Sequence, residues 1–227
     1  MIEARGASRI YYRGSAEIRA LDDVSFQVHD GEVVAIQGPS GSGKTTLLSL
    51  LGTLDRPTSG TILIDGEDVW NLSDRRRSFL RARSIGFVFQ CYNLIPELTA
   101  WKNVALPLRY GGVRRAERKK RAMAALEAVG LTDRARHLPS QLSGGEEQRV
   151  AIARSTVIQP RLLLADEPTG NLDTETGDRI IRHILSLRDD ERMLVLVTHD
   201  PSVANRCPRQ LTMHDGKLFE SSPAEAE

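Results

Sequence analysis

Short, continuous apolar runs recur along the chain, each followed by polar or glycine-rich residues. Val33, Val34, Ala35 and Ile36 form the first; Leu162 to Ala165 and Leu194 to Val197 repeat it. Runs of this length bounded by turn signals read as strands buried on both faces. Helical spacing fills the intervals. Leu47, Leu48, Leu50 and Leu51 line one side of a helix, a second helix is expected over about 144–158, and Ile180, Ile181, Ile184, Leu185 and Leu187 mark a third. Buried strands alternating with helices predict an α/β fold with a mainly parallel sheet and ligands at the strands' carboxyl ends.

Elsewhere the pattern changes. Val24, Phe26 and Val28 alternate with polar residues, and Gly14-Ser15 is a turn between two segments, so residues 1–30 predict an antiparallel hairpin. Pro57 to Gly60 reads as a helix breaker, followed by an edge strand at Ile62 and Ile64. Ile85 to Phe89 is a short strand ending at Gln90. Residues 97–138 read as mostly helical, with breaks at Pro107 and at Gly111-Gly112. The arginines from Arg75 to Arg83 and the basic stretch Arg114 to Arg121 read as solvated helix faces. Leu211 and Met213, Asp215-Gly216 and Leu218 predict a final hairpin. The expected organisation is one domain over 1–220, with a helical insertion at about 91–140 and a polar tail over 221–227.

Composition narrows the class. The chain of 227 residues is 40% hydrophobic, and its 31 basic and 30 acidic residues leave a net charge of +1. That balance argues against a general nucleic-acid binder. Cys91 and Cys207 give neither a disulfide framework nor a metal spacing. The start, Met1 to Arg5, lacks the apolar core of a signal peptide. No apolar run approaches the ~20 residues of a membrane span, so a membrane connection is expected to come through a partner.

The chemistry centres on Gly38-Pro39-Ser40-Gly41-Ser42-Gly43-Lys44-Thr45-Thr46. This fits the phosphate-binding pattern G-x-x-x-x-G-K-[ST], in the required strand–loop–helix context. Glycines let backbone N–H groups turn onto phosphate oxygens, and the helix start adds its positive end. Lys44 is expected at the outer phosphates, and the Thr45 hydroxyl on Mg²⁺. Two more buried strands end in candidate groups: Asp166-Glu167 and His199. In a parallel sheet these meet the glycine loop at one edge. Asp166 suits Mg²⁺, Glu167 suits the base that takes a proton from water, and His199 suits the γ-phosphate. Ser143 and Glu146 form a capping box. Gly144 and Gly145 disfavour a first helical turn, which predicts close approach of a second anion there. One chain already has one phosphate loop, so this predicts a nucleotide shared across a dimer.

These motifs, in this order, resemble the ATP-binding subunit of an ABC transporter, and the resemblance covers roughly Ile2 to Leu218. It implies that Tyr11 stacks on adenine, favoured over neighbouring Tyr12 by its spacing to Gly14. It also implies that Gln90 senses Mg²⁺ and nucleotide, that Leu142 to Glu146 is the signature, and that Asn171-Leu172-Asp173 is the D-loop. Glu146 stands where glutamine is commonest. Leu51 to Gly60, Gly86 to Gln90, Asn93 to Pro96 and Asp166 to Asp173 are similar to the group containing macrolide exporters, lipoprotein-releasing complexes and FtsE-type proteins. Glu146 and the Arg209 to Gly216 stretch lean towards lipoprotein release. The implied partner is a separate membrane permease, with the chain at the cytoplasmic face. The alternative is an ABC-type ATPase acting on nucleic acid or ribosomes. Such proteins usually have a coiled-coil insertion or paired cassettes, and this chain has neither.

Overall fold

The computed structural model describes residues 1–220, so the expected polar tail lies outside the described residues. The chain forms two compact units, residues 1–77 with 193 onward, and residues 78–192.

In the first unit, β1 (Ile2–Arg13) and β2 (Ala16–Val28) pair antiparallel around the Gly14-Ser15 turn. β4 (Ser59–Ile64) adds to the other side of β1, and β5 (Glu67–Asp68) closes the sheet in the order β2-β1-β4-β5. Val24 and Val28 are buried on one face, as their alternation predicts. β3 (Val33–Gln37) belongs to a different, mixed sheet. It pairs parallel with β8 (Met193–Thr198) and with β9 (Arg209–His214), and β10 (Lys217–Glu220) turns back antiparallel on β9. Every residue of β8 is buried, and Val33 to Ile36 of β3 are buried too, the signature of central parallel strands.

Helix α1 (Lys44–Leu51) follows β3 and buries Leu47, Leu48, Leu50 and Leu51. It stops earlier than the proline at 57 predicts. Gly52 caps it, Thr53 turns left-handed at φ +56°, and Ser59-Gly60 already belong to β4. α2 (Asp74–Ser84) leaves Arg75 and Arg76 solvated as expected, but Arg77 departs from that reading: its side chain is only 14% exposed, because its guanidinium lies over the Trp70 ring at 4.3 Å from the centroid.

In the second unit, β6 (Ile85–Val88) pairs parallel with β7 (Leu162–Asp166). α3 (Ala100–Tyr110), α4 (Arg115–Ala128) and α5 (Gly144–Thr156) pack around one apolar core. Val104 and Leu108, Ala122 and Leu126, and Val150 and Ala153 meet there. Each fully buried leucine contributes about 2 kcal/mol. α3 runs through Pro107 rather than breaking at it. The proline removes one amide donor near the helix's end, while Leu108 remains anchored in the core and Gly111 N–H still reaches the Pro107 carbonyl at 2.8 Å. α6 (Thr174–Ser186) buries Ile180, Ile181 and Ile184. The short α7 (Pro201–Ala204) returns to the first unit.

Candidate active site

In the first unit the glycine loop leaves the end of β3, and His199 follows the end of β8. The two strands are in parallel register, Gln37 opposite Thr198, so both groups emerge at the same sheet edge. Gly43 caps α1 with φ +108°, and a Cβ there would lie 2.3 Å from the Ala20 carbonyl oxygen. Conformation and space both demand glycine. Lys44 is buried, and its Nζ donates to the Gly38 and Pro39 carbonyls, both at 2.8 Å. The first turn of α1 carries no acidic residue, and the Ser42 hydroxyl is buried without a partner among the described residues. This donor-rich loop at a positive helix end fits a polyphosphate. Ser40, Gly41 and Thr45 lie exposed on it, with Thr46 half-buried. Beside His199, Asp200 caps α7 by accepting from Ser202 N–H at 2.8 Å; the Ser202 hydroxyl first, then that amide, lowers the Asp200 pKa.

In the same unit Tyr11 is half-buried, whereas Tyr12 is 71% exposed. The Tyr11 hydroxyl donates to Asp55 Oδ2 at 2.7 Å.

In the second unit, Asp166 ends β7, and Glu167 follows in a left-handed conformation at φ +45°. A non-glycine residue held there is strained, a feature that clusters at functional sites. β6 runs parallel to β7, with Val88 opposite Ala165, so Gln90 emerges at the same edge as the two carboxylates. Gln90 lies against the loop after Glu167. Its carbonyl accepts from Asn171 Nδ2 at 3.0 Å, and its Nε2 lies 2.7 Å from where a Cβ on Gly170 would stand. From the other side, Gln148 Nε2 donates to the Pro168 carbonyl at 2.6 Å. Asp173 caps α6 by accepting from Thr176 N–H at 3.0 Å, which holds its pKa down.

The expected capping box is present. Ser143 Oγ accepts from Glu146 N–H at 3.3 Å, and Glu146 Oε2 accepts from Ser143 N–H at 2.8 Å. Because that oxygen accepts here, its own O–H remains a donor. Glu146 Oε1 also accepts from Arg134 Nε at 3.0 Å. The Ser143 amide and Arg134 together hold the Glu146 pKa below its ordinary value. The two glycines have a second reason to be small. A Cβ on Gly144 would stand 2.9 Å from the Tyr92 hydroxyl, and one on Gly145 would stand 2.7 Å from Thr176 Cγ2.

Sequence reasoning passes over Arg154. Its guanidinium, pulled down to about 10 by burial and so still charged, donates to the Tyr92 and Asn93 carbonyls just after Gln90. The available signal was an arginine directly after the apolar run Val150 to Ala153.

A strand–glycine loop–helix unit with a buried lysine defines a nucleoside-triphosphate-binding P-loop protein. The family is more specific. Residues 21–170 match the family described as ABC transporter, and the chain belongs to that family, whose cassettes hydrolyse ATP to drive transport. It is 46% identical to the lipoprotein-releasing system ATP-binding protein LolD of Shewanella denitrificans, over 97% of this chain and 95% of that protein. It is 44% identical to the macrolide export ATP-binding/permease protein MacB of Salmonella typhi, over 99% of this chain but 35% of that longer protein. Among solved structures it resembles the dimeric post-hydrolysis state of the cassette MJ0796 bound to ADP and Pi. The TM-score there is 0.91, with 40% identity and 100% of both chains covered.

Proposed function

We propose that the chain is the ATP-hydrolysing subunit of a transporter in the macrolide-export and lipoprotein-release group, and that it powers a separate membrane permease. In this reading residues 1–220 act as one ATPase domain. Gly38 to Thr46 and Lys44 bind the phosphates, Tyr11 the adenine, and His199 the γ-phosphate. Thr45, Asp166 and Gln90 would hold Mg²⁺, which supplies charge neutralisation on the phosphate oxygens. Glu167 accepts the proton of the attacking water. Two copies close head to tail, Ser143 to Glu146 and Asp173 of one facing the nucleotide of the other.

The observation that carries the permease reading is a groove of about 800 Å³ on α3 and α4. Leu98, Trp101, Ala105 and Leu106 give it an apolar lining, and basic residues including Lys102 and Arg109 join them. An exposed apolar concavity of this kind is a protein-docking feature. Among the described residues no helix is long and apolar enough to cross a membrane. In this reading the chain sits at the cytoplasmic face through its permease partner. A cysteine scan over residues 91–110, crosslinked in native membranes, tests this. Crosslinks to a permease loop are expected; crosslinks confined to residues 201–220 would overturn the docking assignment.

A further inference from the structure

The stretch Leu51 to Gly60 is one of the segments that carry the family resemblance, yet nothing in ATP hydrolysis accounts for it. Asp55 within it is the centre of a small, closed network. The strand period puts Arg9 and Tyr11 of β1 on one face and Tyr12 on the other. Asp55 arrives at the first face from the left-handed turn at Thr53 that ends α1.

All the donors around it converge on its carboxylate. Oδ2 accepts from the Tyr11 hydroxyl at 2.7 Å and from Arg9 Nε at 2.8 Å. Oδ1 pairs with Arg9 Nη2 at 2.8 Å and accepts from Arg56 N–H at 2.8 Å. A two-pronged Arg–carboxylate pair fixes the plane of the guanidinium as well as its position. That plane matters because Arg9 Cζ lies 4.6 Å from the Tyr11 ring centroid, close enough for a cation–π contact. The tyrosine is therefore tied at its hydroxyl and backed on one face by a cation that is itself tied to the same acid.

We infer that Asp55 and Arg9 are positioning residues for the base of the bound nucleotide. Asp55 sets the plane of Tyr11, Arg9 occupies one face, and the other face is the platform for a purine ring. The inference rests on the reading of Tyr11 as the base-stacking residue. A side chain held in place before binding loses less freedom when the base arrives, so the network strengthens base binding and leaves phosphate binding untouched.

The test separates base from phosphate. Affinities of the full chain for ATP and for inorganic tripolyphosphate, which has no base, are measured by calorimetry. The variants are Tyr11→Ala, Tyr11→Phe, Asp55→Ala and the Tyr11→Phe/Asp55→Ala double. Tyr11→Phe removes the hydroxyl that is tied to Asp55 and keeps the ring. Asp55→Ala and Tyr11→Phe are each expected to weaken ATP about three- to tenfold, the weight of one side-chain immobilisation. Tripolyphosphate should change by less than about twofold, and the double variant should be no weaker than Asp55→Ala alone, since one hydrogen bond is shared. Equal losses for ATP and tripolyphosphate would mean general damage and overturn the inference. So would an unchanged ATP affinity in Asp55→Ala and Tyr11→Phe while Tyr11→Ala weakens ATP alone. If Tyr11→Ala leaves the ratio of the two affinities unchanged, the underlying reading of Tyr11 falls, and the positioning role with it.

Discussion

Arg154 Nη2 donates to the carbonyl oxygen of Tyr92 at 2.6 Å, tying the segment after Gln90 to the helix that begins at the signature. Tyr92 and Asn93 both sit at positive φ, +56° and +51°, so the clamp holds a conformation the chain would otherwise leave. Arg154→Met keeps the stem but removes the donors. We expect it to cost roughly 2–4 kcal/mol in urea denaturation, with Arg154→Lys intermediate. A change within about 0.5 kcal/mol, typical of a surface substitution, would show the clamp to be idle.

Lys44 and Glu167 are assigned to different steps. Lys44→Ala should weaken ATP binding about tenfold or more, because a charge-assisted contact is lost. Glu167→Gln should keep binding yet lower turnover about 100-fold or more, since an amide cannot accept the proton. Both are read in one preparation by nucleotide titration and phosphate release. Unchanged turnover in Glu167→Gln would remove it from the base role.

Ser143 stands exposed at the start of α5, which supports its use by the partner's nucleotide. Light scattering of Glu167→Gln should show monomer with ADP and dimer with ATP, because ATP bound only in the closed state shifts the population. Adding Ser143→Arg should restore monomer without loss of ATP binding. A dimer that ignores nucleotide would refute the shared site.

Acid stability has a defined contribution from Glu146. Its folded pKa lies below the ordinary value of 4.5, so its stabilisation is present above that value and is lost as pH falls through the folded pKa. Glu146→Gln retains the shape of the cap without the charge. Its melting temperature should fall less steeply than that of the parent between about pH 5 and about pH 3. Parallel curves would place the acid sensitivity elsewhere.

The two thiols should separate cleanly. Cys91 is exposed, whereas Cys207 is buried and pushed up to about 11. At about pH 8 a thiol reagent should titrate one cysteine in the folded chain and the second only after denaturation. Two rapid equivalents would contradict the burial of Cys207.

Local pattern carried the phosphate loop, the buried strands, both hairpins and the capping box, since each is written in consecutive residues. It misled at Pro107, where packing of Val104 and Leu108 outweighs one missing amide. It gave Gly144 and Gly145 a single purpose, because their neighbours Tyr92 and Thr176 are distant in the chain. Arg154 and the Asp55–Tyr11 link were invisible for the same reason: each partner looks ordinary alone.

Lys44 solvates itself on its own loop, at the carbonyls of Gly38 and Pro39. Arrival of a phosphate is then a substitution at the ammonium rather than the filling of an unsatisfied charge. The heat this residue adds to binding is the difference between two sets of acceptors, and so is modest. The same two carbonyls compete for the lysine when spent nucleotide has to leave. A cyclic motor gains from that symmetry, because this lysine's share of the hold on departing product is no more than this difference.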